Sequence, residues 1–190
     1  MNAVAEIMKA EIVNGINVDD LKGLIAGVAD NPETGATKWR VATSWQGQTR
    51  SRARIDGFGI GGEDVNRSFS FDIDEPLELG GGNAFANPQE HLIAALNACM
   101  IVGYAAQCAL RGIKLERLEI KTEGDIDLRG FLGLDPAVPA GYESLQHTVI
   151  IKGDATPAQF AEVHDAVMAT SPNVYNIANA VALNPSLVVE

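Results

Sequence analysis

A long apolar helix pattern over residues 86–113 constrains this chain more than any other feature. The segment reads ANPQEHLIAALNACMIVGYAAQCALRGI, and its apolar part, residues 92–110, is interrupted by Asn97, Gly103 and Gln107. That part is close to the length that spans a membrane, but its polar and flexible breaks favour the buried core helix of a soluble protein. We therefore expect a soluble fold built around this helix.

Both cysteines of the chain, Cys99 and Cys108, lie on this helix. Nine residues of helix place them about 180° apart around the axis and about 13.5 Å apart along it. A disulfide needs Cα atoms within about 7 Å, so the two cannot pair while the helix is intact. Cys99 is then either a small core residue or a nucleophile activated by a nearby positive group. Cys108, on the opposite face, is predicted to be core.

Charge and composition narrow the function classes. The chain carries 25 acidic and 14 basic residues, a net charge of −11. A surface of that sign repels phosphate backbones, which argues against nucleic-acid binding. The three histidines show no zinc-ligand spacing, so we expect no metal and no cofactor. The N-terminus lacks the pattern of a signal peptide, and two cysteines do not make a disulfide framework, so we expect a cytoplasmic protein without a membrane span.

The order of the periodic segments predicts an α+β fold with largely antiparallel sheet. Residues 1–35 have a helical pattern in which Asn17 can cap a helix, and from Lys38 the apolar period changes to two. We therefore divide the chain into an N-terminal helical extension over residues 1–37 and a main domain over residues 38–190. Strands and helices occur in runs rather than in strict alternation, which is typical of the α+β class.

Several local signals predict the elements of the main domain. Gln46-Gly47-Gln48 indicates a hairpin turn, and residues 57–62 indicate a glycine-rich loop. Thr156, with Pro157 and Gln159 after it, indicates a helix start that ends before Ser171-Pro172. The remaining strands are expected over residues 114–128, 144–152 and 186–189.

Two charged features qualify as candidates for a site. Arg50, Arg52 and Arg54 share one face of a predicted strand, which is either a solvated outer face or a cationic patch beside a thiolate or an anionic ligand. Glu90 lies in the first helical turn, where the helix dipole favours a carboxylate. The same carboxylate could instead hold an arginine through a bidentate pair.

Several stretches together resemble the OsmC/Ohr family, the osmotically inducible protein C and organic hydroperoxide resistance proteins. NPQEHLIAALNACM is similar to the family's helix-opening motif, GIKLERLEIKTEGDIDLRGFLGLDPAVPAGYESL to the strand and loop after it, and SPNVYNIANAV to the closing motif. The resemblance covers roughly residues 38–190. The N-terminal stretch NGINVDDLKGLIAGVADNPE also resembles an extension carried by one subgroup of the family.

The resemblance implies a fold, an assembly and an activity. The fold is an OsmC/Ohr-like homodimer, in which largely antiparallel sheets wrap long central helices and the subunits intertwine. In the peroxidase members a cysteine at the position of Cys99 attacks the O–O bond of an organic hydroperoxide. An arginine from the early hairpin, matched by Arg50 or Arg52, assists the thiolate. A carboxylate near the helix start, matched by Glu90, orders that arginine.

Three positions depart from the peroxidase pattern. The acidic residue of the family aligns with Gln89, one position before Glu90, and the arginines lie on the strand after the turn. The second cysteine of the closing motif is replaced by Ser171. The first hypothesis is therefore a single-cysteine hydroperoxide reductase that uses an external thiol. The alternative is a non-catalytic dimer that binds a small apolar ligand in the interface pocket, and a third option is a structural dimer without a ligand.

Overall fold

The computed structural model describes residues 10–190, which form two compact units. The first unit ends at Ala94 and the second begins at Ala95. Helices and antiparallel strands occur in both, so the predicted α+β class is confirmed. The helical pattern predicted for residues 1–9 lies outside the described residues, and the predicted domain boundary at residue 38 stays a prediction.

The first unit opens with a two-stranded hairpin, β1 (Ile12–Val13) and β2 (Ile16–Asn17). The helix predicted across these residues is wrong, because Asn14 and Gly15 adopt positive φ angles of 54° and 78° and reverse the chain. Positive φ is a turn conformation that asparagine and glycine tolerate better than other residues.

Helix α1 (Val18–Asp30) follows directly and confirms the predicted cap. The Asn17 side chain accepts hydrogen bonds from the backbone N–H groups of Asp19 and Asp20, at 3.1 and 3.3 Å. These bonds satisfy two of the free N–H groups at the helix start. The helix ends at Asn31, before a short 3-10 helix over Pro32–Gly35.

A four-stranded antiparallel sheet makes up most of the first unit. Its strands are β3 (Thr37–Trp39), β4 (Ala42–Trp45), β5 (Ser51–Ile60) and β6 (Glu63–Ile73). Strands β3 and β4 pair with successive parts of β5, and β6 pairs with β5 along nearly its whole length. The predicted hairpin turn between Trp45 and Ser51 is confirmed, with Gly47 at a φ of 93°.

The glycine-rich loop predicted over residues 57–62 is wrong, because β5 continues to Ile60 and the turn comes at Gly61-Gly62. Gly57 lies where the register between β5 and β6 shifts. A Cβ atom there would lie 2.6 Å from the carbonyl oxygen of Val65. Glycine is therefore needed inside the strand because the partner backbone approaches closely at an irregular pair.

Helix α2 (Pro88–Leu110) is the long helix predicted from the sequence. By length and composition it could cross a bilayer, a test that the core helix of a soluble protein also passes. The part of α2 that belongs to the second unit buries Leu96, Met100, Tyr104 and Cys108. The spacing of four between these residues places them along one face, so this face is a core face.

The second unit places a two-stranded sheet and shorter helices after α2. The elements are β7 (Leu115–Glu123), α3 (Leu128–Phe131), β8 (Gln146–Gly153), α4 (Pro157–Thr170) and α5 (Pro172–Ala178). The strand predicted to reach Leu128 ends at Glu123, because Asp127 caps α3 by accepting a hydrogen bond from the N–H of Arg129. The strand predicted over residues 186–189 is wrong, since the described chain offers it no ladder partner.

The core of the second unit lies between α2, α4 and the sheet. The buried face of α2 packs with Ile113, Val163 and Val167, and side chains of β7 and β8 complete the cluster. Gly103 lets α2 and α4 approach, since a Cβ atom there would lie 3.2 Å from Cγ1 of Val167. The predicted capping box of Thr156 and Gln159 at the start of α4 is confirmed.

Candidate functional site

Cys99 lies beside the core face of α2 and not on it. The residue is half-buried and its thiol is free. The hydroxyl of Ser171 donates a hydrogen bond to its Sγ atom, with 3.3 Å between oxygen and sulfur. Ser171 is 6% exposed. The sulfur atom therefore has a polar, shielded neighbour on one side, which an inert core cysteine does not need.

The junction between α4 and α5 holds this hydroxyl in place. Ser171 is at once the C-cap of α4 and the N-cap of α5, and its Oγ accepts a hydrogen bond from the N–H of Val174 at 3.5 Å. Asn173 donates from Nδ2 to the carbonyl oxygen of Ala95 at 2.9 Å. That carbonyl lies four residues before Cys99, so this contact fixes the junction against the helical turn that carries the thiol.

Cys108 has the opposite surroundings. It is fully buried within the core cluster, and burial raises the pKa of its thiol. A raised thiol pKa keeps the group neutral and unreactive at neutral pH. The prediction that Cys108 is a core residue is confirmed.

The predicted arginine row belongs to the first unit, on strand β5 and at its start. Arg52 makes a bidentate pair with Asp72 across the strands, with Nε–Oδ1 and Nη2–Oδ2 distances of 2.6 and 2.9 Å. This hydrogen bonding lowers the pKa of the Asp72 carboxyl. Arg54 is exposed and pairs with Asp56. Arg52 and Arg54 therefore lie on a solvated outer face, which is one of the two alternatives predicted for the arginine row.

Arg50 differs from the other two arginines. Within the described part of the first unit it forms no salt bridge, although its charge contributes to the lowered pKa of the Asp72 carboxyl. It lines an open pocket of about 240 Å³. The other lining residues are Gln46, Ser51, Arg52, Asp72 and Phe85. Of the two arginines that the family pattern matches, Arg50 is the one whose guanidinium is not already held by a carboxylate in this unit.

Glu90 has a defined structural role at the start of α2. Its Oε2 accepts a hydrogen bond from the N–H of Asn87 at 2.7 Å, and Oδ1 of Asn87 accepts one from the N–H of Glu90 at 2.8 Å. This reciprocal pair has the geometry of a capping box. The role of Glu90 in ordering an arginine stays a prediction.

Asp74 is a buried carboxylate that the sequence did not single out. Fully buried in the first unit, it accepts hydrogen bonds from the Thr49 hydroxyl and from the N–H groups of Glu75, Gly82 and Ala84. The bond from Thr49 is the largest cause of the lowered pKa of this carboxyl. The network ties the residue before Arg50 to the loop that leads into α2. Aspartate at a strand end before a glycine-rich segment was the only available signal.

No metal-binding cluster of three or more histidine, cysteine or acidic side chains occurs among residues 10–190. The site that the described residues support consists of one half-buried thiol with a hydroxyl donor. The arginine pocket of the first unit is a separate observation.

Solved structures define the class of fold. An OsmC-like protein from Mycoplasma pneumoniae matches with a TM-score of 0.60 at 13% identity, over 75% of this chain and 89% of that one. An OsmC-like protein from Vibrio cholerae matches with a TM-score of 0.51 at 14% identity, over 73% and 92%. A Psychrobacter arcticus protein, named for a proposed osmotic-stress and detoxification role, gives 0.55 at 12%, over 71% and 85%. The chain has the OsmC-like fold.

The family follows from the sequence model. The OsmC-like protein model matches residues 80–186, more than half of the chain. The chain therefore belongs to the OsmC-like family, as its motifs predicted. No curated protein sequence is significantly similar to it.

Proposed function

We propose that this protein reduces organic hydroperoxides with Cys99 as the nucleophile. The observation that carries the proposal is the free, half-buried Cys99 thiol with a hydroxyl hydrogen-bonded to its sulfur. Membership of the OsmC-like family and the position of Cys99 within the helix-opening motif support it. A neutral, buried thiol such as Cys108 could not take this role.

The chemistry begins with attack of the Cys99 thiolate on the terminal oxygen of the O–O bond. The O–O bond breaks, an S–O bond forms, and the alcohol leaves after its oxygen takes up a proton. Cys99 is oxidised to a sulfenic acid, the first step of the cysteine oxidation ladder, and the hydroperoxide is reduced.

Recycling uses an external thiol in this proposal. Ser171 occupies the position of the family's second cysteine, and a hydroxyl cannot form a disulfide with the sulfenic acid. A first external thiol forms a mixed disulfide with Cys99 and releases water. A second external thiol then releases the Cys99 thiolate and leaves as the oxidised disulfide.

We assign the positioning of the peroxide to Arg50 rather than Arg52. The guanidinium of Arg52 is already paired with Asp72, whereas Arg50 lines the open pocket without a salt bridge in the described part of its unit. A guanidinium stabilises a thiolate and the negative charge that develops on a leaving oxygen.

We further propose that the working unit is a cytoplasmic homodimer. Within the four-stranded sheet of the first unit only Ala53 is buried, while Trp39, Trp45 and Phe69 are 63%, 76% and 60% exposed. An apolar sheet surface of this kind marks an interface, and the family resemblance implies a second copy as its partner. Reduced thiols suit the cytoplasm. The net negative charge argues against nucleic acid as a partner. We assign neither a nucleic acid nor a membrane as a partner.

The second candidate is a non-catalytic dimer that binds a small apolar ligand. It is favoured by Val102, which is 68% exposed one helical turn after Cys99, and by Ile101, which is 38% exposed. Apolar side chains at the surface of α2 suit an apolar guest as well as the organic part of a hydroperoxide.

Turnover distinguishes the two candidates. The experiment measures consumption of cumene hydroperoxide with a small dithiol as reductant, for wild type, Arg50→Gln and the matched surface control Arg54→Gln. Loss of activity on the order of 100-fold in Arg50→Gln alone supports the proposal. A wild-type protein that binds the hydroperoxide without consuming it would favour the binding protein.

A further inference from the structure

The residue in place of the second cysteine makes a direct contact with the reactive sulfur. Ser171 Oγ lies 3.3 Å from Cys99 Sγ, and the serine is 6% exposed. The two residues are 72 positions apart in the sequence, so the contact depends on the packing of the α4–α5 junction against α2.

The direction of the hydrogen bond follows from the capping role of the serine. The lone pairs of Ser171 Oγ face the N–H of Val174 at the start of α5, so its proton is available to the sulfur. A thiolate is a better acceptor than a neutral thiol, and a hydrogen bond with a charged partner is roughly twice as strong as a neutral one. The contact therefore places a hydrogen-bond donor where a Cys99 thiolate can accept it.

A second contact prevents the hydroxyl from turning away. Asn173 bonds to the carbonyl oxygen of Ala95, one helical turn before the thiol. Ser171 and Asn173 thus hold the junction at two points of the same stretch of α2. A preorganised donor of this kind costs no reorganisation when charge develops on the sulfur.

We propose that Ser171 is a catalytic hydrogen-bond donor that holds the Cys99 thiolate before oxidation and the sulfenic acid after it. The hydroxyl replaces an internal disulfide partner with a donor, which leaves the oxidised sulfur open to an external thiol. The second half of this inference rests on the proposed peroxide chemistry, whereas stabilisation of the thiolate does not.

The test follows the rate of alkylation of Cys99 by iodoacetamide against pH, read by peptide mass spectrometry so that Cys108 is counted separately. The variants are Ser171→Ala and the conservative Ser171→Thr. The matched control is Thr170→Ala, since the Thr170 hydroxyl bonds to the carbonyl of Ala166 and not to sulfur.

The expected result is a slower reaction of Cys99 in Ser171→Ala alone. Its alkylation rate at pH 7 falls about tenfold, because the hydrogen bond from the hydroxyl to the sulfur is lost. Ser171→Thr and Thr170→Ala keep the wild-type rates across the pH series. A folded Ser171→Ala protein with unchanged rates would overturn the proposal, and an equal loss of rate in Thr170→Ala would assign the effect to the helix junction instead.

A third variant, Ser171→Cys, tests the contact itself. One equivalent of organic hydroperoxide should convert Cys99 to the sulfenic acid, which condenses with the introduced thiol, forming an S–S bond and releasing water. The same disulfide should form with diamide, which oxidises two neighbouring thiols without peroxide chemistry. If the disulfide forms with diamide but not with the hydroperoxide, the proposed function is contradicted and the contact is supported. If the disulfide forms with neither oxidant, the contact is overturned.

Discussion

Cys99 and Cys108 share one helix, yet their surroundings differ. Cys108 is fully buried and its pKa is raised by burial, while Cys99 is half-buried and accepts a hydrogen bond from Ser171. The helical spacing alone predicted that they could not form a disulfide with each other. The hydroxyl donor could not be predicted from spacing, because the contact joins two segments distant in the sequence.

Replacement of Cys108 should affect stability and leave the chemistry intact. Cys108→Ala removes a buried sulfur from the core cluster, so we expect the free energy of unfolding to fall by about 1–2 kcal/mol. Urea denaturation measures the change. The alkylation rate of Cys99 is the control and should stay at the wild-type value. A lost or strongly reduced Cys99 rate in a folded protein would contradict the division of roles.

Tyr104 provides a stability prediction with a defined pH window. Burial raises its pKa from 10.0 to about 12, and its hydroxyl is hydrogen-bonded to His164 Nδ1 at 2.5 Å. The unfolded chain loses this proton at lower pH than the folded one, so the stabilisation is complete below pH 10 and is lost as the pH rises through about 12. This pH-dependent loss in the free energy of unfolding, at most about 3 kcal/mol, should be absent from Tyr104→Phe.

Denaturation of wild type and Tyr104→Phe at pH 9 and at pH 11 measures the difference. The difference in the free energy of unfolding between the two proteins should be smaller at pH 11 than at pH 9. A difference that stays constant would show that Tyr104 titrates at its ordinary pKa in the folded protein.

Among the elements, several locally determined features were predicted correctly, whereas the turn at Asn14-Gly15 was not. The caps at Asn17 and Thr156, the hairpin turn around Gly47 and the long helix were all predicted from neighbouring residues, because each depends on a few hydrogen bonds within a turn. The glycines of β5 were predicted as a loop, and the segment over residues 186–189 as a strand. Both errors concern strand pairing, which depends on backbone that is distant in the sequence and is not visible in a local pattern.

The packing of α2 against α4 depends on Gly103. Gly103→Val places methyl groups where Val167 already lies, and we expect the free energy of unfolding to fall by about 1–3 kcal/mol. Gly23→Ala is the contrasting control in α1, where nothing lies within 4 Å of the added Cβ. It should raise helix stability by up to about 1 kcal/mol. Urea titration measures both, and a neutral Gly103→Val would contradict close helix packing.

The loop before α2 depends on the Asp74 carboxylate. Its pKa is lowered chiefly by the Thr49 hydrogen bond, so its stabilisation is present above the ordinary value of 3.8 and is lost as the pH falls through the lowered one. Asp74→Asn should be less stable than wild type at neutral pH and should lose less on acidification. Thermal unfolding at pH 7 and pH 3 measures this. Equal losses of thermal stability between pH 7 and pH 3 in the two proteins would contradict the hydrogen-bond network assigned to Asp74.

The exposed aromatic side chains on the sheet of the first unit are the observation behind the proposed homodimer. A second copy of the 20.1 kDa chain predicts a solution mass of about 40 kDa by light scattering. Phe69→Glu should shift the protein toward the monomer, because the side chain lies 60% exposed on this sheet. Arg54→Glu, an exposed residue already paired with an acid, is the matched control. A wild-type mass of one chain would contradict the proposed homodimer.

The proposed function requires that Cys99 reacts with organic hydroperoxides faster than an ordinary thiol does. Single-turnover oxidation of the reduced protein, read by trapping of the sulfenic acid, measures this rate directly against free cysteine and Cys99→Ser. We expect oxidation at least about 100-fold faster than that of free cysteine, with the sulfenic acid trapped at Cys99 and absent from Cys99→Ser. A wild-type rate no greater than that of free cysteine would contradict it.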